Sequence, residues 1–306
     1  VRTAFIETLH ELASKDDRIW LLCGDLGFSV LEPFAKSFPN RYLNVGVAEQ
    51  NMTGVAAGLA LSGKIVFTYS IANFPVIRCL EQIRNDVCAH NLNVKIVSVG
   101  GGFAYGSAGY THHGTEDLAI MRVLPNITVI APGDPIETRL LTIAATERPG
   151  PCYLRLGKAG EPIIHTSQPD AVIGKAIVLR QGDAGTLIST GATLGMAVKA
   201  ADELSTRGIN VSVLSMPTLS PLDQDAILRA AKHTGHLITV ENHGIGGLGS
   251  AVAEVLVAST LHPRFAAMYL QATPAKVADT EAAMYASHNL SASFITAKMM
   301  SLLAQQ

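Results

Sequence analysis

The sequence predicts an α/β protein of two domains, each a three-layer unit with a parallel or mixed sheet between helices. Three observations predict it. Apolar runs of strand length alternate with amphipathic helical stretches almost from end to end. The runs are continuous rather than alternating in polarity, as strands buried on both faces require. The rhythm breaks once, at 158–173 (KAGEPIIHTSQPDAVI), where two prolines mark a linker. The domains are therefore placed at 1–157 and 174–306.

In the first block, helix 3–14 carries Phe5, Leu9 and Leu12 on one face, and IWLLCGD (19–25) is the first strand. Helix 48–61, strand KIVFTYS (64–70), a helix across 76–89 and strand VKIVSVGG (94–101) follow. A helix from about Glu116, strand TVIAPG (128–133), helix 134–146 and strand CYLRLG (152–157) complete the block. In the second block, the strands are AIVLRQ, GTLIST, NVSVLSMPT, HLITVEN and RFAAMYLQA. The helices between them cover 192–207, 223–234 and 249–259. Right-handed crossovers place the strand C-termini along one edge, where open α/β sheets bind ligands. The places to search in the first domain are therefore 24–29, 44–52, 69–75, 100–115 and 157–160.

Composition narrows the function classes. Of 306 residues, 48% are hydrophobic and 16% charged, which suits covered sheets and a large subunit interface. A net charge of -2 gives no electrostatic reason to expect nucleic acid or an anionic membrane as partner. The four cysteines (Cys23, Cys79, Cys88, Cys152) are widely spaced and read as buried reduced thiols of a cytoplasmic protein. There is no signal-peptide pattern, and no apolar run reaches the roughly 18 residues of a membrane span.

Chemistry-bearing residues concentrate at the searched edge. In NVGVAEQNMTGVAAGLA (44–60), Glu49 opens a helix of small apolar residues that invite close approach by another helix. On spacing alone Glu49 is a first-turn acid favoured by the helix dipole. A carboxylate entering an apolar interface also needs a partner group. GSAGYTHHGTEDLAIMR (106–122) puts two adjacent histidines in a Gly/Thr loop, a setting where exposure is the ordinary reading. GIGGLG (244–249) fits the GxGxxG pattern after a strand. Glu241, Asn242 and His243 intervene, however, and the next strand lacks a terminal acid for a ribose.

These segments together resemble the transketolase family. GVAEQNM (46–52), KIVFTYSIANF (64–74) and LEQIR (80–84) are similar to the signature of its pyrimidine-binding domain. The resemblance covers nearly the whole chain and implies thiamine diphosphate as cofactor. It gives Glu49 the role of hydrogen-bonding N1′ of the aminopyrimidine, so that the imino tautomer deprotonates the thiazolium carbon. It asks for an aromatic on the pyrimidine face, Phe74, with Tyr69 as the other candidate. THHGTEDL resembles the family's THQ stretch and places His112 over the reacting carbon, at the substrate carbonyl, where an imidazole titrates near working pH. The family's Asp three residues before the threonine is Ala108 here.

The far end of the substrate shows a mixed match. Arg2 and Ser29 fall on the family's phosphate-binding Arg and its Ser partner. Lys158 replaces a second Arg, and glycines at 100–102 replace a His. A lysine is a point charge without the bidentate arginine fork, so a phosphate, sulfonate or carboxylate is expected on a sugar substrate. ExxxxGGxG in the C-terminal domain resembles 241–249, where glycines allow close helix–strand packing. The family's GDG…Asn motif for Mg²⁺ and diphosphate has no counterpart. The implied enzyme is thus a split transketolase, transferring a two-carbon ketol unit from a ketose to an aldose. Its second subunit would carry the diphosphate-binding domain in an α2β2-like heterotetramer. The alternatives are the beta subunit of a 2-oxoacid or acetoin dehydrogenase complex, and a non-catalytic binding subunit.

Overall fold

In the computed structural model, residues 1–271 and 279–304 are described. The expected strand RFAAMYLQA thus ends on Ala272, outside the described residues. The first block comprises α1 (Arg2–Ala13), β1 (Ile19–Cys23), α2 (Glu32–Ser37), β2 (Tyr42–Asn44), α3 (Glu49–Leu61) and β3 (Ile65–Ile71). It continues through α4 (Leu80–Gln82), β4 (Val94–Val99), α5 (Asp117–Arg122), β5 (Thr128–Ile130), α6 (Pro135–Glu147) and β6 (Cys152–Leu156). The second block runs β7 (Ile177–Arg180), β8 (Gly185–Ser189), α7 (Leu194–Ser205), β9 (Val211–Ser215), β10 (Thr218–Ser220) and α8 (Gln224–Thr234). It ends with β11 (His236–Val240), α9 (Leu248–Val257), β12 (Arg264–Met268), α10 (Glu281–Ser287) and α11 (Ala292–Ala304).

Two α/β sheets result. Among the described residues the first has the order β10-β5-β6-β4-β3-β1-β2 and the second β12-β11-β8-β9-β7. Every pair is parallel except β10 on β5 and β7 on β9. The central strands β4 and β6 are buried throughout, the property that made their apolar runs continuous. On one face Phe5 and Leu9 of α1 pack with Leu21, Phe67 and Leu154; on the other, Met52 and Ala56 of α3 pack with Leu22, Val66 and Ile96.

The segment expected as the single strand NVSVLSMPT divides. Residues 211–215 pair with β8, while 218–220 cross to the first sheet and extend it beyond β5. Met216 and Pro217 turn the chain between sheets, and the amide of Ala131 donates to the Pro217 carbonyl at 2.8 Å. The helix expected over 76–89 starts only at Leu80 and widens into a π-helical turn at Ile83–Cys88. The residues before it form turns. No helix or strand lies within 158–173. That segment is held by Asp134, which caps α6 and also accepts from the amides of Ile164 (2.9 Å) and His165 (3.0 Å). All four cysteines are buried and free.

A buried polar network joins the two blocks. Arg155, on β6, donates through Nε to Asp117 Oδ2 at 2.8 Å, and through Nη2 to the carbonyls of Gly114 (2.7 Å) and Asn242 (3.0 Å). Its Nη1 donates to the Asn242 side chain, and Tyr153 donates its hydroxyl proton to Asp117. Burial opposes the charge on Arg155, yet the Asp117 carboxylate together with the neighbouring tyrosines leaves the guanidinium pKa raised. Nε2 of His243 accepts from the first amides of α5, Leu118 (3.0 Å) and Ala119 (3.3 Å), so this ring is neutral. Burial likewise lowers its pKa.

Candidate active site

The glycine turn at 244–249 is filled from within. Glu241 accepts from the amides of Leu248 (2.7 Å) and Gly249 (2.8 Å), satisfying the start of α9 with the protein's own carboxylate. Burial pushes this carboxyl up to about 7. A Cβ on Gly247 would stand 2.0 Å from Glu241 Oε2, and one on Gly249 2.8 Å from Ala267 Cβ. The glycines therefore serve close packing, and the place a dinucleotide phosphate would take is occupied by Glu241.

The other motifs converge on the C-terminal edge of the first sheet. Glu49 is the first residue of α3 and only 3% exposed, yet its carboxylate forms part of the wall of a cleft of about 420 Å³. Val47, Gln50, Asn51 and Arg78 line the same cleft. Both carboxylate oxygens lie 3.1 Å from Nη1 of Arg78. The buried carboxylate thus has the partner that its setting demands.

Phe74 follows β3 in a turn that the sequence marks with Asn73 and Pro75. Asn73 donates to the His113 carbonyl and ties this turn to the histidine loop. The Phe74 ring is half-buried and has the Arg78 guanidinium 4.0 Å from its centroid. His112 meets Phe74 edge-on, with centroids 5.2 Å apart. Tyr69 lies elsewhere. Its ring is 2% exposed and stacks on Phe5 in the core at 6.3 Å, and burial raises its hydroxyl pKa. Such a ring has no free face for a ligand.

The two histidines separate cleanly. His113 is 1% exposed, with Nε2 3.1 Å from the Gly106 carbonyl and its ring against Phe103. His112 is half-buried, with Nδ1 3.0 Å from the Thr111 hydroxyl. Two of the ties that hold their loop meet at Gly114. Gly102 and Gly114 exchange backbone hydrogen bonds of 2.7 and 3.0 Å, and Arg155 grips the Gly114 carbonyl.

The cationic candidates gather around a residue that sequence reasoning missed. The Tyr105 ring lies 6.2 Å from that of His112, and Lys158 Nζ is 4.7 Å from the Tyr105 centroid. Burial raises its hydroxyl pKa while the charge of Arg2 lowers it. Tyr105 packs onto Gly100, where a Cβ would come 2.1 Å from the ring and φ is +83°. The run Gly100–Gly102 beside an aromatic was the signal that could have found it. Arg2 buries its Nε without a partner among the described residues. Ser29 stands on an exposed turn at φ +62°, its amide bonded to Glu32 at 2.7 Å. No contact among the described residues joins it to Arg2 or Lys158. Arg78 was also missed; its signal was a lone cation four residues after Phe74.

Successive contacts thus run from Glu49 through Arg78, Phe74, His112 and Tyr105 to Lys158. Residues 1–160 match the family model of the transketolase pyrimidine-binding domain, and 174–294 that of the transketolase C-terminal domain. The chain belongs to the transketolase family. It is 42% identical over 258 residues to an apulose-4-phosphate transketolase subunit of Phocaeicola vulgatus, covering 83% of each chain. It is 41% identical over 258 residues to a 6-deoxy-6-sulfo-D-fructose transketolase subunit of a Clostridium species, covering 84% of this chain and 80% of that one. A solved split gene transketolase, an inactive beta4 tetramer, superposes with a TM-score of 0.89 at 38% identity, over 99% of this chain and 97% of that one.

The relatives are named as transketolase subunits or a split transketolase, which favours transketolase over the dehydrogenase alternative, and the family implies thiamine diphosphate as cofactor. The cleft fits the pyrimidine half of that cofactor, since it offers a carboxylate on its wall and an aromatic face nearby. Among the described residues no group of three or more His, Cys, Asp or Glu could hold a metal ion. No described helix is long and apolar enough to cross a membrane.

Proposed function

We propose that Glu49, Phe74 and His112 are the working residues of this transketolase subunit, and that a partner subunit supplies the diphosphate- and Mg²⁺-binding domain. The observation that carries this reading is the buried Glu49 carboxylate in an open cleft, with Phe74 and His112 in edge contact beside it. Thiamine diphosphate, when bound, supplies the carbanion equivalent that cleaves the carbon–carbon bond beside a ketose carbonyl. Glu49 holds a proton at the ring nitrogen of the pyrimidine. Phe74 offers its face to that ring. His112 moves a proton at the substrate oxygen, with its ring oriented by Thr111.

The substrate end is anionic. Arg2, Lys158 and Tyr105 lie toward this end, with Lys158 over the Tyr105 ring and the charge of Arg2 acting on its hydroxyl. A sugar phosphate or sugar sulfonate fits this end, and the names of the two transketolase relatives carry one of each. Ser29 joins such a group only if the 25–29 turn closes over it. The exposed side of α3 and the residues leading into it suit subunit contact. Val47 and Leu61 are 72% and 71% exposed, and Cβ atoms on Gly54 or Gly58 would meet nothing within 4 Å. An α2β2-like assembly in the cytoplasm completes the reading.

Calorimetric titration of thiamine diphosphate with Mg²⁺, into the lone chain and into the chain plus its partner, tests it. Binding only in the mixture is expected, followed by turnover of a ketose plus an aldose without any lipoyl domain. In that mixture Glu49→Ala lowers turnover by about 10²–10⁴-fold. Tight Mg²⁺-dependent binding by the lone chain, or dependence on a lipoyl acceptor, overturns the proposal.

A further inference from the structure

Arg78 touches both groups assigned to the pyrimidine. Its Nη1 bridges the two oxygens of Glu49 at 3.1 Å each, and its guanidinium carbon stands 4.0 Å from the Phe74 centroid. A guanidinium is a planar N–C–N unit that donates from its edge and stacks through its face. A 4-aminopyrimidine likewise presents one ring nitrogen to a carboxylate and an aromatic face to a neighbouring ring.

The anchoring of Arg78 separates its backbone from its side chain. Gln50 fixes the backbone by donating to the Arg78 carbonyl at 2.9 Å. The side chain is 47% exposed and bonds Glu49 through one nitrogen rather than the two-nitrogen fork. Residues 72–79 precede the regular helix, so the guanidinium can leave without unwinding it. A group so loosely held over a carboxylate that is 3% exposed is placed to be exchanged.

We propose that the Arg78 guanidinium is an internal surrogate for the cofactor's aminopyrimidine, covering Glu49 and Phe74 until the cofactor displaces it. The inference rests on the reading of Glu49 and Phe74 as the pyrimidine site. Arg78 then sets cofactor affinity by competition, and it shields a buried carboxylate that would otherwise lack a partner.

The test is calorimetric affinity for thiamine diphosphate with Mg²⁺ in the complex reconstituted with the partner subunit. Each of the two half-exposed contacts is worth a factor of about 3, so Arg78→Ala and Arg78→Met are expected to tighten binding about tenfold. Arg78→Lys, which keeps the charge but loses the planar face, is expected to tighten it about threefold. Should the neutral variants fail to fold, the lysine variant decides. Unchanged or weaker binding in these variants overturns the inference and makes Arg78 a permanent support of Glu49 or of the cofactor. Glu49→Ala separates the two levels. If it abolishes binding while the Arg78 variants do not tighten it, the surrogate role alone fails. If it binds as wild type does, or wild type does not bind, the pyrimidine reading fails as well.

Discussion

Replacing Arg155 by Met removes the cation at the junction of the two blocks. Arg155 is 3% exposed and Asp117 0%, and the guanidinium serves Asp117, both oxygens of Asn242 and the Gly114 carbonyl. The variant leaves Asp117 buried with only the Tyr153 hydroxyl as donor from the network, so the loss should be about 3–5 kcal/mol. Adding Asp117→Leu removes the stranded charge. What remains is the unmatched Tyr153 hydroxyl and the two oxygens of Asn242, since the Gly114 carbonyl keeps the Gly102 amide; such groups cost about 1–3 kcal/mol. The double variant should therefore be more stable than Arg155→Met alone by about 2 kcal/mol. Urea unfolding followed by circular dichroism reads both; at a slope of ~3 kcal/mol per molar, a loss of ~4 kcal/mol moves the midpoint by more than about 1 M. A single variant within about 1 kcal/mol of wild type, or a double variant no better than the single, would refute the reasoning.

Phe74→Ala should weaken cofactor binding in the reconstituted complex by about 10-fold or more through the lost aromatic face. Tyr69→Phe, altered inside the core, should leave binding unchanged; calorimetry compares them. Gly247→Ala should cost about 1–3 kcal/mol in urea unfolding, because its Cβ would collide with Glu241 and His243, both buried. His165 is hydrogen-bonded to Glu137 at 2.8 Å, which raises its pKa above 6.5. A histidine raised in the folded state contributes its full stability below 6.5, and the contribution fades as pH rises through the folded value. The gap in melting temperature between wild type and His165→Gln should accordingly be widest in mild acid and shrink above neutrality. A gap that widens with pH would place the ion pair elsewhere.

The parallel cores were legible because burial on both faces leaves a mark that a strand cannot hide. KIVFTYS and CYLRLG lack the alternation of a half-exposed strand, and both proved central. The work of the charges inside such strands was not legible. Lys95 is fully buried in β4, donating to the carbonyls of Arg148 and Gly150 at 2.7 Å each, and Arg155 sits in β6. Their partners are loop carbonyls and residues up to 87 positions away, which no local pattern records. The split of NVSVLSMPT was hidden for a similar reason: an apolar run states that it is buried, not in which sheet. At the site, Glu49, Phe74 and His112 stood out through family-like motifs. Tyr105 and Arg78 did not, since each works by reaching a neighbour fixed only by the fold.

The chemistry and the scaffold are coupled at one point. The loop that bears His112 has no long secondary structure of its own; its shape comes from Gly114, bonded to Gly102 on one side and to Arg155 on the other. Arg155 is in turn held by Asn242, which belongs to the second block. The second block thus reaches the histidine loop through Asn242 and Arg155 and also through the Gly244 amide, which donates to the Thr115 carbonyl at 2.8 Å, and among the described residues it contributes no side chain to the carboxylate cleft. What it supplies is position: on the role proposed for His112, a group already held in place needs no further ordering when the substrate arrives. Asn242→Ala removes one acceptor of the Arg155 guanidinium and lets the Gly114 end of the loop drift. Glu49 is held by α3, and Phe74 has its own anchor besides the Asn73 tie to the histidine loop, its amide donating to the Ile71 carbonyl at 2.8 Å. The variant should therefore lower turnover in the reconstituted complex several-fold while calorimetric affinity for the cofactor stays near wild type. Equal losses in both measurements would mean that the second block supports the cofactor cleft as well as the histidine.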